Sequence, residues 1–310
     1  MKNDLHIVLG GSGAIGSAVI KELKKRGIKV KAVTRTKEVE GVGTIHADLL
    51  NPVELSQATA GATHIYLCIG LPYDSQVWQR DWPLVMHNTV EVCKAMRARL
   101  IFFDNVYMYG PAPLEIPFTE DHRQMPETQK GKTRKATADM LLSALKSKTI
   151  RGVIGRSADF YGPRATNSPF YIVFLENMLK NKNPQWLGRP SVKHSYAYTE
   201  DNAQALVDLA LNEKCYGQVW HMPAGEPITI EDVLKIFNKN LSSKYAISYM
   251  PRFMLNMLSL FVPVLKEARE MLYQFDDPYL MSSQKFLQAF PKFKVTPYEA
   301  GIRKMIDSFT

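Results

Sequence analysis

The chain has 310 residues, enough for one large domain or two modest ones with a full core. At 45% hydrophobic and 22% charged it has an ordinary globular composition. The formal charge of +9 suits an anionic ligand, but the basic residues are scattered. Lys21, Lys24, Lys25 and Arg26, then Lys130, Lys132, Arg134 and Lys135, form short clusters rather than a tract, and no nucleic-acid module accompanies them. Cys68, Cys93 and Cys215 are isolated in mostly apolar runs, the usage of a reducing compartment, with no disulfide framework and no metal-ligand spacing. Met1-Lys2-Asn3-Asp4 leads straight into a strand, so no signal peptide and a cytoplasmic location are expected. The most apolar run, residues 253–265, is broken by Asn256, Ser259 and Pro263 and falls short of the roughly 18 residues a membrane span needs. It is expected to be a core or subunit-contact helix, which leaves a homodimer admissible and a membrane partner excluded.

Apolar strands alternate with helix-length segments through the first half. Strands are predicted at residues 7–9, 30–34, 44–47, 65–69, 100–103 and 151–155, and helices after Gly16 and over residues 52–59, 83–97 and 131–147. This alternation predicts an α/β fold, a Rossmann-like doubly wound parallel sheet covered by helices on both faces. Beyond residue 163 proline and asparagine rise and the alternation loosens. A helix is expected over residues 201–211, a strand returning to the sheet at 219–222, a helix from Ile230, and helices at 252–260 and 266–275. Residues 1–165 are assigned to a dinucleotide-binding domain and 166–310 to a smaller substrate lobe, with segments near 190–225 returning to the main sheet.

The stretch Ile7-Val8-Leu9-Gly10-Gly11-Ser12-Gly13-Ala14-Ile15-Gly16 reads as strand, glycine turn and helix start. Gly11, Gly13 and Gly16 fit G-x-G-x-x-G, and Gly10, Gly13 and Gly16 fit G-x-x-G-x-x-G. Either spacing allows a tight turn, close approach of backbone N–H groups to a pyrophosphate, and close packing of helix on strand. The helix N-terminus adds unpaired N–H groups and a positive dipole end. Ligands of such sheets bind beyond the carboxyl ends of the strands. The expected cofactor contacts are therefore Gly10, Gly11, Ser12, Gly13, Ala14, Ile15, Gly16, Thr34, Arg35, Asp48, Leu49, Cys68 and Gly70. At the end of the second strand an acidic residue would bond ribose hydroxyls. Thr34-Arg35 stands there instead, and a guanidinium suits a 2′-phosphate, so NADP(H) is preferred and NAD(H) admissible. Asp48 either bonds the adenine amino group or caps a turn ahead of Asn51-Pro52.

With these pieces in place the chain resembles the extended short-chain dehydrogenase/reductase group, which includes nucleotide-sugar epimerases and dehydratases. The resemblance runs in order through the glycine loop, Ala47-Asp48-Leu49, residues 65–69, Asp104-Asn105-Val106-Tyr107-Met108-Tyr109-Gly110, Arg156-Ser157-Ala158-Asp159-Phe160-Tyr161-Gly162-Pro163 and His194-Ser195-Tyr196-Ala197-Tyr198-Thr199-Glu200-Asp201. It implies a dinucleotide-dependent epimerase/dehydratase or oxidoreductase acting on a small polar, nucleotide-sugar-like substrate. It also implies a substrate pocket drawing on Asp104, Tyr109, Asp159, His194 and Tyr198.

The resemblance breaks at the catalytic pair. The family carries Tyr-x-x-x-Lys, whose lysine lowers the tyrosine pKa, with a Ser or Thr after the fifth strand. Here Lys130 falls at the tyrosine position, Arg134 at the lysine position and Asn105 at the serine position, and none of the 14 tyrosines has a lysine four residues on. Arg134 can still bond a ribose, but it stays charged and presents a different geometry. Three accounts remain open. In one, the acid/base group is relocated among Lys130, Arg134, Asn105, Tyr107, Tyr109, Asp104 and Asp159. In another, the protein is a catalytically silent dinucleotide sensor. In the third, it is similar to atypical reductases that use a lone lysine. His46 and His64 lack acidic or cysteine partners at ligand spacing, so no metal is expected, and His221, following Trp220, reads as core. Glu200-Asp201 is expected to cap a helix.

Overall fold

The computed structural model describes residues 4–249, 257 and 263–310. The expected helix at 252–260 and most of the apolar run 253–265 lie outside the described residues. The first half folds as β1 (His6–Leu9), α1 (Ala14–Lys25), β2 (Val30–Thr34), β3 (Gly43–His46), α2 (Pro52–Ala58), β4 (His64–Leu67), α3 (Ser75–Met96), β5 (Arg99–Asp104), α4 (Gln129–Lys146) and β6 (Arg151–Arg156). The second half continues through β7 (Asp159–Tyr161), α5 (Glu176–Leu179), β8 (Gln185–Trp186), β9 (Tyr196–Tyr198), α6 (Thr199–Leu211), β10 (Val219–His221), α7 (Ile230–Asn240) and β11 (Ser248–Tyr249). It closes with α8 (Pro263–Glu270), α9 (Tyr273–Asp276), α10 (Gln284–Ala289) and α11 (Tyr298–Asp307).

Seven strands form one parallel sheet in the order β10-β6-β5-β4-β1-β2-β3. Its strands are apolar on both faces because both faces are covered. Ile7, Leu9, Leu67 and Phe102 pack toward Leu55 of α2, Trp82 of α3 and Leu141 of α4. Val8, Tyr66, Ile101 and Val153 pack toward Val19 of α1 and Leu206 of α6. This is the doubly wound architecture expected of such alternation. The strand order turns back at β1, which has β2 on one side and β4 on the other. The crevice at the carboxyl ends of β1 and β4 is therefore the topological switch point, where ligands of this architecture bind.

The second lobe has its own aromatic core. Tyr161, Phe170, Phe174, Tyr196, Tyr198 and Phe237 pack with Ile302 and Met305 of α11. It is not separate in sequence from the first lobe, since β10 pairs with β6 and α6 lies on the α1 face of the main sheet.

Two elements differ from the sequence reading. Helix α3 starts at Ser75, not near Pro83, because the Asp74 side chain accepts hydrogen bonds from the Gln76 and Val77 amides (2.8 and 2.9 Å), a stronger start signal than a proline. Helix α6 starts at Thr199, with Glu200 and Asp201 in its first turn, where acidic residues suit the dipole. Asp201 is no cap, however. Its carboxylate accepts from the Thr296 amide and hydroxyl, both at 2.7 Å, and so anchors the chain leading into α11.

At the far end of the sheet His6 and His64 are paired neighbours on β1 and β4, stacked 4.1 Å apart, with His6 Nδ1 3.0 Å from the Tyr66 hydroxyl. Burial, then the His64 charge, lowers the His6 pKa to about 3; burial, then Arg99, lowers that of His64 to about 4. Both rings are neutral in the fold and must be protonated below 6.5 in the unfolded chain. Their contribution to stability is complete above about pH 6.5 and declines as pH falls toward 4, by about 1.4 kcal/mol per pH unit for each histidine. Urea unfolding at pH 7 and pH 5 should show this loss, and His64→Gln should flatten part of the slope.

Candidate functional site

The turn after β1 is shaped by what its glycines exclude. Gly10 has φ +84°, and a Cβ there would lie 2.9 Å from Ile69 Cα and 3.0 Å from the Cys68 carbonyl oxygen. A Cβ on Gly16 would come within 2.2 Å of the Gly10 carbonyl oxygen, so only glycine lets α1 start this close to the strand. Gly11 is closed off by Ala32 and Ile20, whereas Gly13 is exposed with only the Gly10 oxygen nearby. The Gly13 amide donates to the Gly10 carbonyl (3.0 Å), which leaves the amides of Ala14, Ile15 and Gly16 in the first turn of α1, where a helix offers no internal acceptor. No acidic side chain occupies that turn. Exposed Ser12 and Gly13 and the bare helix end form a cradle that fits a pyrophosphate.

Around this cradle the expected contacts are distributed unevenly. Arg35 is exposed beyond β2, while Thr34 is buried and its hydroxyl donates to the Lys37 carbonyl (2.5 Å). Asp48 is exposed and accepts from the Leu50 amide (3.0 Å), and Leu49 is buried beneath it. Cys68 is buried beside the loop, with burial pushing its thiol pKa up, and Gly70 is exposed just beyond.

Further along the sheet edge lies a buried ion cluster. Asp104, 1% exposed at the end of β5, accepts from Arg134 Nε (3.0 Å) and Nη2, from the Asn105 amide (2.9 Å), and at 3.4 Å from Arg156 Nε. The Arg134 guanidinium lies 4.0 Å from the Trp82 ring, sealed in the α3–α4 layer. Arg156 Nη1 donates to the Tyr109 hydroxyl (3.1 Å), which is 2.6 Å from His221 Nε2. His221 Nδ1 faces the Ser282 carbonyl (2.9 Å) and must be the protonated nitrogen, so Nε2 accepts from Tyr109. Burial above all lowers the His221 pKa to about 3, and burial pushes Tyr109 up to about 12. Asn105 turns its side-chain oxygen to the Tyr107 amide (3.1 Å).

Lys130 occupies the second cluster. It is fully buried in the first turn of α4, and its ammonium donates to Glu267, to Glu270 (3.0 Å) and to Ser75 Oγ (3.2 Å), which takes up its three protons. The two glutamates come from α8 and also serve two helix starts. Glu267 accepts from the Ser75 amide and hydroxyl (3.1 and 2.6 Å) at the start of α3, and Glu270 accepts from the Lys130 amide (3.0 Å) at the start of α4. Neither helix has an acidic residue of its own in its first turn. The Tyr73 ring lies 4.5 Å from the ammonium, and the Tyr73 and Tyr107 hydroxyls are hydrogen-bonded. Burial raises the pKa of both phenols well above the ordinary value.

The remaining candidates lie on β7 and around β9. Asp159 pairs in register with Tyr196, and His194 Nε2 stands 3.3 Å from Asp159 Oδ2. Tyr198 lies on the same strand face as Tyr196, but its hydroxyl donates to Glu200 (3.0 Å). Among the described residues no group of three or more His, Cys, Asp or Glu is placed to hold a metal ion. Nor is any helix among them long and apolar enough to cross a membrane.

Residues 6–219, more than half of the chain, match the NAD dependent epimerase/dehydratase family. The chain belongs to that family. No curated protein matches it. Among solved structures it is similar to UDP-glucose 4-epimerase of Thermus thermophilus in complex with NAD (20% identity, 98% of each chain, TM-score 0.77). It is also similar to UDP-glucuronic acid 4-epimerase of Bacillus cereus in complex with NAD (18%, 98% of each chain, 0.79). A third is dTDP-glucose 4,6-dehydratase of Bacillus anthracis in complex with NAD (14%, 99% of this chain and 96% of the other, 0.80). At these identities the likeness shows the fold.

Sequence reasoning did not select Ser75, Glu267 or Glu270, which surround Lys130. A lysine at the start of a helix without acidic residues was the available hint, but both glutamates are more than a hundred positions away. Lys130→Met should lower stability by about 3 kcal/mol, because it removes the cation from two largely buried carboxylates. Urea unfolding of Lys130→Met alone and combined with Glu267→Gln and Glu270→Gln checks this; the combined variant should recover part of the loss.

Proposed function

We propose that this chain is a dinucleotide-dependent oxidoreductase of the epimerase/dehydratase type acting on a small polar, nucleotide-sugar-like substrate. The observation that carries the proposal is the turn between β1 and α1, where Gly10 and Gly16 have no room for a side chain and the first-turn amides stand free of acidic competitors. In this reading Ser12, Gly13 and the amides of Ala14, Ile15 and Gly16 hold the pyrophosphate, and exposed Arg35 meets a 2′-phosphate, which favours NADP(H) over NAD(H). The bound nicotinamide supplies hydride transfer. The three named structural neighbours were solved with NAD, which keeps NAD(H) as the competing cofactor.

In the same reading the chain's own residues divide into two groups. Asp104, Tyr109, Arg134 and Arg156 fix the carboxyl edge of β5 and β6 through buried hydrogen bonds. In this reading the half-buried Tyr107 and Asp159 stand on the substrate side of that edge, with buried His194 behind Asp159. A second reading, a dinucleotide-dependent sensor without turnover, is favoured by one observation: Lys130 and Arg134 both direct their donors to protein carboxylates.

Titration of NADPH and NADH by fluorescence should give tighter NADPH binding in the wild type and a preference reduced at least fivefold in Arg35→Ala. Equal wild-type affinities would refute the NADP assignment. Gly16→Ala should weaken both cofactors more than tenfold. Consumption of reduced cofactor with a pool of carbonyl compounds and nucleotide sugars decides between enzyme and sensor; tight binding without turnover selects the sensor.

A further inference from the structure

With Lys130 in place of the family's tyrosine, a hydride-transfer site at this edge needs another proton donor, and the groups nearest Lys130 are engaged. The Lys130 ammonium directs its three protons to Glu267, Glu270 and Ser75. Arg134 donates to Asp104 under the Trp82 ring, and the Tyr109 hydroxyl donates to His221. Asn105 turns its side-chain oxygen to a backbone amide. A phenol that the sequence pattern did not single out stands beside them. Tyr73 lies in the turn from β4 to α3, at the carboxyl end of a strand that forms the switch-point crevice. It is 46% exposed, whereas Tyr107 and Tyr273 are half-buried and Tyr109 and Tyr279 are buried.

The position of Tyr73 is fixed from both sides. The Asp74 amide and Trp78 Nε1 both donate to the Pro72 carbonyl at 2.8 Å, which pins the backbone of the turn. The Tyr73 ring stands edge-on to Trp78 at 5.7 Å, and Trp78 stacks on Tyr107 at 6.1 Å, so one indole spaces the two phenols. Their hydroxyls are hydrogen-bonded, and burial sets the direction of that bond. Tyr107 is the more enclosed and loses its proton last, so it donates to the Tyr73 oxygen and leaves the Tyr73 O–H directed elsewhere. The Lys130 ammonium of α4 lies 4.5 Å from the ring centroid, while Glu267 and Glu270 of α8 and Asp159 of β7 also face the phenol. Burial within the cleft, and then the three carboxylates, raise the Tyr73 pKa against the Tyr107 hydrogen bond, so the group rests as a phenol.

We propose that Tyr73 is the general acid for carbonyl reduction by this chain, with Tyr107 as the residue that positions it. The inference rests on the reading of the chain as a dinucleotide-dependent oxidoreductase. As a substrate carbonyl carbon gains hydride from the reduced nicotinamide dinucleotide, the C=O π pair moves onto oxygen, and that oxygen takes the Tyr73 proton. The electron pair of the broken O–H bond stays on Tyr73. The resulting phenolate is stabilised by the Tyr107 O–H and by the ammonium over its ring until water returns the proton. A phenol and an ammonium thus meet from two segments of the chain, where the family's pair lies on one helix. Since the resting group is a phenol, reduction is the favoured direction, and alcohol oxidation, which needs the phenolate as base, is slow at neutral pH.

The test uses the full chain with NADPH, or with NADH if that cofactor binds more tightly. N-acetylimidazole acetylates exposed phenols, and peptide mass spectrometry reads each site without any turnover. The cofactor should slow acetylation of Tyr73 about fivefold or more and leave that of Tyr249, 53% exposed on β11, unchanged. Oxidation of the cofactor is then followed with 4-nitrobenzaldehyde and with the pool of carbonyl compounds and nucleotide sugars. Tyr73→Phe keeps the ring beneath the Lys130 ammonium, so Tm and cofactor affinity should hold while kcat falls about 100-fold or more. Tyr107→Phe should lower kcat about tenfold with KM unchanged, the loss of one hydrogen bond to a developing charge. Because Tyr73 rests protonated, wild-type kcat for reduction should stay level between about pH 6 and 9. The assignment is overturned if the cofactor leaves Tyr73 acetylation unchanged, if Tyr73→Phe keeps wild-type kcat, or if kcat falls with a midpoint below about pH 9. In the second case the enzyme reading stands and only the donor is wrong. Cofactor binding with no turnover of any compound refutes the enzyme reading, and the donor with it.

Discussion

One carboxylate holds the carboxyl edge of this sheet in place. Asp104 receives Arg134 from α4, Arg156 from β6 and the amide of its own successor, all within a protein interior. The arrangement is demanding because a buried charge is costly unless it is paired and hydrogen-bonded, and Arg156 Nη2 still lacks a hydrogen-bond partner among the described residues. Since the same atom group spans β5, β6 and α4, moving any of these elements would break it. The direction in which the chain leaves β5, toward Asn105 and Tyr107, and the direction in which it leaves β6, toward Asp159, both follow from that fixed point. Tyr109 and His221 extend it to β10 and to the Ser282 carbonyl, so three neighbouring strands end in one hydrogen-bonded unit.

A second constraint acts across the lobes. The glutamates of α8 meet the amide ends of α3 and α4 as well as the Lys130 ammonium. Their charge is thus answered by one lysine and two helix termini, which favour anions. The Rossmann-like sheet and the C-terminal segment are thereby joined at the starts of α3 and α4.

The doubly wound sheet is legible in the sequence because its strands are apolar on both faces and its helices begin with local signals. The glycine turn is legible for the same reason: Gly10, Gly13 and Gly16 answer to contacts within a few residues and to one neighbouring strand. The start of α3 is easily misread because Pro83 resembles a first-turn proline, while the true signal, Asp74, sits in a loop of ordinary polar residues. The surroundings of Lys130 and His194 cannot be read at all. Glu267, Glu270, Gln274 and Tyr279 reach them from the far end of the chain, and no periodicity or spacing connects segments that meet only after folding. Arg134 illustrates the limit. Its residue type and position suggest a ribose contact, and only packing reveals that Trp82 and Asp104 enclose it.

The clasp also bears on how this sequence can change over generations. Positions 130, 267 and 270 are energetically coupled, since replacing the lysine alone strands two carboxylates and replacing one glutamate alone removes an acceptor from a helix start. A bulkier neutral side chain at 130 would meet both acids in a space that holds an ammonium. Change at any one of these three positions is therefore tied to change at the other two, an electrostatic coupling between segments more than a hundred residues apart.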